Sequence, residues 1–222
     1  MELLTYIINH SRKHQRDLVI SLLDLKNAFG EVSHDLIKMS LKFHHIPDHI
    51  ITLIECFYTD YHVSIGTKSF VSNPIKVEKG VLQGDCLSPV IFNLCFNTLL
   101  KTIEDQRIKQ VGYHFNEFLA PRHWFQFADD TALVTSSSED NQLLLNVFSK
   151  WCIWSDLKVR VDKCTSFGIR KNNTTSIQYE PYLKICNEIM PTVNVGERFV
   201  YLGKEFGYSM ETGFIKEELI KD

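Results

Sequence analysis

The sequence predicts an α+β fold, with helices packed on one face of a largely antiparallel sheet. Three observations carry that expectation. An apolar run of strand length, Leu18-Val19-Ile20-Ser21-Leu22-Leu23, ends on Asp24. Two strand-like segments, Trp124 to Phe127 and Thr131 to Thr135, flank a turn at Ala128-Asp129-Asp130. Amphipathic segments opening at Ser88 and near Glu139 supply the helices that would cover the sheet.

Taken in order, Leu4, Ile7, Ile8 and Ser11 recur at helical spacing, and the pattern fades into the polar stretch from His10 to Asp17. After the 18–23 strand, residues 33 to 44 read as a helix opened by Ser33, and another begins near Pro47-Asp48 with Ile50, Ile51, Ile54 and Phe57 on one face. Residues 61 to 78 alternate and carry Gly66 and Asn73-Pro74, which suggests a β-hairpin. Ser88-Pro89 is a helix start, with Ser as N-cap and Pro in the first helical position. That helix gathers Ile91, Leu94, Cys95, Leu99 and Ile103 on one side. In the helix from Glu139 to Ser155, residues Leu144, Val147, Phe148, Trp151 and Trp154 face inward. From Lys158 onward the pattern is short strands and turns.

A chain of 222 residues that is 44% hydrophobic, with 15 Phe and 3 Trp, can bury one substantial core, which excludes intrinsic disorder. No apolar run reaches the length of about 18 residues that a membrane helix needs. Met1-Glu2-Leu3-Leu4 lacks the basic region of a signal peptide, so the chain reads as soluble and intracellular. The six cysteines form no C-x-x-C pair, which removes zinc and redox readings and leaves free buried thiols. His44, His45 and His49 make no H-E-x-x-H and read as a solvated helix end. A net charge of −3 and a pI near 6.3 argue against tight polyanion binding, unless the basic parts of a binding channel lie outside this segment.

Asp24 closes a buried strand, where a carboxylate is costly unless it is paired, hydrogen-bonded or holding a metal. Asp129 and Asp130 sit in a tight turn that must project at least one of them. Three carboxylates brought together repel and raise one another's pKa values, and a divalent cation removes that penalty. Mg²⁺, with Mn²⁺ as an alternative, takes one or two carboxylates plus waters and phosphates, which suits this count. Each acid alone is an ordinary turn or helix-cap residue. Between them, Gly80-Val81-Leu82-Gln83-Gly84 sets two glycines around Gln83 ahead of a helix N-terminus, a backbone arrangement suited to a close, anionic ligand as well as to a plain turn.

In this order the segments resemble those of reverse transcriptases, in their LINE-type, non-LTR retroelement form. Leu23 to Phe29 resembles motif A, Gly80 to Asn93 motif B, and Phe127-Ala128-Asp129-Asp130 the catalytic box of motif C. Trp154 to Lys163 resembles motif D, and Phe199-Val200-Tyr201-Leu202-Gly203 the motif E hairpin. The resemblance implies a polymerase palm over residues 1–205 and a tail, 206–222, leading toward a thumb. About 23 residues precede Asp24 and 19 follow Gly203, so the family's fingers and thumb segments are expected to lie outside this chain.

The resemblance further implies RNA-directed DNA synthesis with two metal ions, an RNA template, a DNA primer and dNTPs, and no membrane. Asp24 and Asp129 would bind the metals with Asp130 in support, and the backbone carbonyl of Leu25 would add a ligand. Phe29 would sit under the sugar and reject a 2′-hydroxyl. Gln83 and Gly84 would line the nucleotide pocket, and Lys163 would protonate the departing pyrophosphate. The chain departs from the pattern at Gly30, where Asp is frequent, at Asp156, where Gly is usual, and at Arg160-Val161, often Asn-Pro. The nucleus is the compartment expected of a retroelement enzyme, with the cytoplasm left open. Two alternatives compete: a non-catalytic, folded remnant of a decayed element, and the palm of another enzyme such as a nucleotidyl cyclase. The latter leaves Gly80 to Gly84 and Phe29 unexplained. Two expectations follow for the fold: Asp24 and Asp129 carboxylates within about 6 Å, close enough to share one cation, and Phe29 beside them.

Overall fold

The computed structural model describes residues 2–82, 84–104, 108 and 110–209. Helix α1 (Glu2–Lys13) leads into strand β1 (Leu18–Leu23) and helices α2 (Ala28–Glu31), α3 (His34–Phe43) and α4 (Asp48–Tyr58). A small hairpin, β2 (His62–Val63) with β3 (Ile75–Lys76), precedes helix α5 (Ser88–Ile103). Strands β4 (Trp124–Phe127) and β5 (Asp130–Thr135) follow, then helix α6 (Ser138–Ser155). Strands β6 (Thr165–Asn172) and β7 (Thr175–Tyr179), the short pair β8 (Lys184–Ile185) and β9 (Glu188–Ile189), and the hairpin β10 (Arg198–Tyr201) with β11 (Lys204–Gly207) complete the chain.

The main sheet has the order β4-β5-β1-β6-β7, and every neighbouring pair is antiparallel. Because side chains alternate along a strand, β1 feeds two cores. Val19 and Leu23 join Leu133 and the apolar faces of α3, α4, α5 and α6. Leu18 and Ile20 join Ala132 and Val134, and the opposite side is covered by Leu4, Ile7 and Ile8 of α1 and by Phe199, Tyr201 and Phe206 of the last hairpin. Thus α3 to α6 occupy the expected face, and α1 with β10–β11 close the other. Phe206 is fully buried in β11, so the folded unit runs past residue 205. Among the described residues no helix is long and apolar enough to cross a membrane.

Helix α3 is capped as its sequence suggests, with Ser33 Oγ accepting the Leu36 N–H at 3.1 Å. At α5 the cap falls one residue earlier than expected, on Leu87; Ser88 Oγ instead turns toward Asp85 Oδ2 at 3.5 Å. Trp154 is half exposed rather than inward-facing, because it lies about 80° round the helix from Leu144 at 3.6 residues per turn. The region after Lys158 also holds more than short strands: β6 spans eight residues and pairs with β1. Its Gly168 hid that strand, and it is there for packing, since a Cβ would lie 2.6 Å from the Tyr179 ring and 2.8 Å from Pro181. All six cysteines are free, but Cys56 and Cys86 are exposed rather than buried, since they lie outside the apolar faces of their segments.

Candidate active site

Asp24 follows the last residue of β1, and Asp129 occupies the turn between β4 and β5. Phe127 pairs with Asp130, leaving Ala128 and Asp129 as a two-residue hairpin loop. Ala128 has φ of 52° while Asp129 does not share the left-handed region, the signature of a type II′ turn matched to strand twist. The last β1–β5 pair is Leu23 with Thr131, so the next step brings Asp24 alongside Asp130 on the sheet face away from α5 and α6. The three acids therefore gather at one end of two neighbouring strands. Their proximity has an electrostatic mark. Partial desolvation first, then the charges of Asp129 and Asp24, raise the Asp130 carboxyl above the usual carboxylate range.

The backbone around Asp24 is locked to the segment after α6. The Arg160 N–H donates to the Asp24 carbonyl at 2.9 Å, and the Lys26 N–H to the Lys158 carbonyl at 2.8 Å. These bonds flank the Leu25–Val159 bridge and turn Leu25's own carbonyl away from Val159, toward the side where β5 lies. The Asp24 N–H donates to Cys164 Sγ at 3.4 Å, and burial pushes that thiol up to about 11. Asp24 Oδ1 is shut off from solvent and accepts no hydrogen bond. Its nearest cation is Arg160, whose Nε lies 3.5 Å away.

Among the described residues no three His, Cys, Asp or Glu side chains form a ready-made metal cage. The donor set nevertheless fits a divalent cation of the Mg²⁺ kind, which needs only one or two protein carboxylates when substrate phosphates complete its shell. An orphaned carboxylate oxygen beside a carboxyl strained by like charge is a site that a cation would relieve. Asp24 and Asp129 are partly exposed and Asp130 is exposed. Two cavities of about 730 and 510 Å³ are elsewhere: one under Met39, Phe43, Trp151 and Trp154, the other between His34, Tyr58 and Lys76.

Helix α2, which carries Phe29, is held with Val32 against residues 79–81. The Gly80 N–H donates to the Val32 carbonyl at 2.7 Å and the Val81 N–H to the Phe29 carbonyl at 2.8 Å. Gly80 has φ of 96°, and a Cβ there would lie 2.9 Å from the Gly30 carbonyl oxygen, so the two chains pass too closely for a side chain at residue 80. The Phe29 ring stacks on Phe92 of α5 with centroids 4.3 Å apart and planes 11° from parallel. Gly84 adopts φ of 96° beside open space, whereas Gln83 lies outside the described residues. Lys163 is exposed at the end of a one-turn 3₁₀ segment, Val161–Lys163, and pairs with none of the three acids among the described residues.

Sequence reasoning missed three neighbours of this centre. Arg160, noted in the sequence as a departure from the family's pattern, lies with its Nε 3.5 Å from Asp24 Oδ1. Tyr201 donates its hydroxyl to the Asp130 carbonyl oxygen at 3.4 Å, and burial, then the Asp130 charge, pushes that hydroxyl up to about 12. Lys79 pairs with Asp156 at 2.7 Å, tying the glycine loop to the end of α6. Asp156 has φ of 59°, which is why the equivalent place suits glycine. No signal in the sequence pointed to Arg160, because its place beside Asp24 is set by the backbone pairing of residues 24–26 with 158–160.

The family described as reverse transcriptase (RNA-dependent DNA polymerase) matches residues 2–205. The Pol polyprotein of the type-2 retrotransposable element R2DM from Drosophila melanogaster is 29% identical over 203 residues, covering 90% of this chain and 18% of its own length. A Pol polyprotein of the type-1 retrotransposable element R2 from Popillia japonica is 28% identical over 211 residues, covering 92% of this chain and 28% of its own. The chain thus spans less than a third of these relatives. Among solved structures, telomerase from Candida tropicalis in complex with a fragment of telomeric RNA superposes with a TM-score of 0.56 at 13% identity, over 85% of this chain and 32% of that one. Telomerase from Candida albicans gives 0.54 at 14%, over 87% and 32%. At such identity the likeness is one of fold, a palm-like α+β arrangement.

Proposed function

Since the chain belongs to the reverse transcriptase (RNA-dependent DNA polymerase) family, as a reverse transcriptase domain of the non-LTR retrotransposon type, we propose that it forms the palm of an RNA-templated DNA polymerase. Residues 1–205, with β11 completed by Phe206 and Gly207, would be that palm and the rest of 206–222 the lead toward a thumb, within a larger LINE-type protein that also holds fingers. The observation that carries the reading is the buried Asp24 Oδ1, which accepts no hydrogen bond, set beside Asp130, whose carboxyl is raised by partial desolvation first and then by the charges of Asp129 and Asp24.

Asp24 and Asp129 would hold the cations, Mg²⁺ or Mn²⁺, with Asp130 supporting and the Leu25 carbonyl as a further ligand. The bound cations supply activation of the primer 3′-hydroxyl and charge neutralisation of the triphosphate. The protein's share is placement. The β1 end and the β4–β5 turn fix the acids before substrate arrives, so little reorganisation is left for the reaction. Phe29, braced by Phe92, would form the floor under the dNTP sugar. Gln83 and Gly84 would line the pocket, where Gly84 leaves the backbone bare for close approach. Exposed Lys163 has the freedom to reach the departing pyrophosphate and give it a proton.

The test is primer extension on an RNA template annealed to a DNA primer, with dNTPs and Mg²⁺. The chain is joined to fingers and thumb segments of a relative, since by itself it is not expected to be active, and is compared with Asp24→Asn and Asp129→Asn. Extension by the unaltered chain and a loss of at least about a thousandfold in both variants is the expected result. Equal extension by all three would refute the assignment of the acids. A folded chain that never extends a primer, with Mn²⁺ or with Mg²⁺, would favour a non-catalytic remnant.

A further inference from the structure

Residue 160 is beside Asp24 by construction. The Arg160 N–H to Asp24 carbonyl bond of 2.9 Å, continued by the Leu25–Val159 bridge, fixes the two Cα positions whatever the side chain at 160. In this chain that side chain is a guanidinium. Its Nε reaches within 3.5 Å of Asp24 Oδ1, the carboxylate oxygen that is closed to water and has no hydrogen-bond donor. Both side chains remain about a third exposed, 34% for Arg160 and 38% for Asp24, so the pair is neither sealed in nor freely solvated.

A guanidinium is permanently charged, so it cannot release a carboxylate by losing a proton. It can only move aside. An incoming divalent cation must therefore displace it from Oδ1 or bind with a positive charge a few ångströms away. Either outcome weakens cation binding relative to the acids alone, because part of their charge is already neutralised. The contact has an opposite benefit in the absence of metal. It keeps Asp24 aimed, with Arg160 Nε 3.5 Å from Oδ1.

We propose that Arg160 is a resident counter-ion of Asp24 that competes with the divalent cation, sets this chain's metal requirement high, and holds the carboxylate in place until metal arrives. The proposal rests on the reading of Asp24 as a metal-binding residue. Arg160 is in this sense a positioning residue: it acts through Asp24. The neighbouring Lys158 offers a control, since it carries the same charge two residues away from an exposed position and contributes only its backbone carbonyl to the lock.

The test is a titration of the 222-residue chain with Mn²⁺ alone, reading free Mn²⁺ by electron paramagnetic resonance. Arg160→Asn, Arg160→Lys, Lys158→Asn and Asp24→Asn are compared, with thermal unfolding as the check that each variant folds. Arg160→Asn is expected to lower the Mn²⁺ dissociation constant about threefold to fivefold, the factor a partly exposed ion pair is worth. Arg160→Lys should keep most of the weakening, and Lys158→Asn should change little. If Asp24→Asn abolishes a site that Arg160→Asn leaves unchanged, the counter-ion role is wrong and the metal reading stands. Equal gains from Arg160→Asn and Lys158→Asn would likewise overturn it, since general electrostatics would then explain both. If Asp24→Asn leaves Mn²⁺ binding intact, the metal reading itself fails and this inference with it.

Discussion

At the scale of single residues, the site is a balance between charge and confinement. Three acids share one strand end and one cation faces them, while an aromatic ring is braced against helix α5. Phe29 is the residue whose role is most open to direct test. Its ring lies flat on Phe92, which removes the freedom a lone phenyl would have to swing away from an added hydroxyl. In a primer-extension assay, Phe29→Val should raise ribonucleotide incorporation relative to deoxyribonucleotide by at least about tenfold, the range a single steric contact commands. Unchanged discrimination would remove Phe29 from the sugar site. The grouping of the acids was legible because each breaks a local rule, a charge ending an apolar strand and a double acid in a strand turn, whereas Phe29 came from the family resemblance alone. Arg160 was not legible, since a lone Arg in a polar stretch breaks no such rule, and only the backbone pairing reveals its neighbour.

At the scale of elements, helices and strands with a single period could be read from residues, while those shaped by distant packing could not. Strand β1, the β4–β5 turn and helices α3 and α5 follow from apolar spacing and turn chemistry. Strand β6 did not, because Gly168 weakens any strand pattern and is explained only by Tyr179 and Pro181 lying against it. The polar residue inside α6 was also missed. Asn141 is fully buried; its Oδ1 accepts from Ser21 Oγ at 2.6 Å, and its Nδ2 donates to the Val19 carbonyl at 3.3 Å and to Thr135 Oγ1 at 3.2 Å. One side chain thus ties α6 to both β1 and β5, the two strands that carry the acids. Asn141→Ala should cost about 2–3 kcal/mol, because it strands buried partners without water. Denaturant unfolding measures this, and a loss below about 0.5 kcal/mol would mean those partners find replacements.

At the scale of the whole molecule, stability should depend on pH through histidines held neutral. Burial, with Arg122 adding to it, keeps His123 below the ordinary imidazole value of 6.5, and burial does the same for His34 and His10. The unfolded chain takes up protons near 6.5 while the folded chain resists. The stabilisation is therefore full above 6.5 and is lost as pH falls through that value toward the depressed folded values. The denaturant midpoint should drop as pH is lowered below about 6.5. His123→Phe should shrink that drop, and an identical pH profile in the variant would acquit His123.

Strand β1 is paired on both edges and covered on both faces. An amide in such a place exchanges its hydrogen only when the domain opens globally, whereas loops and edge strands exchange through local excursions. Asp24 hangs from the end of that strand, while Asp129 sits in the turn between β4 and β5. Asp24 thus inherits the slowest-opening part of the chain as its mounting. Heat or denaturant should extinguish the site and the fold in a single cooperative step.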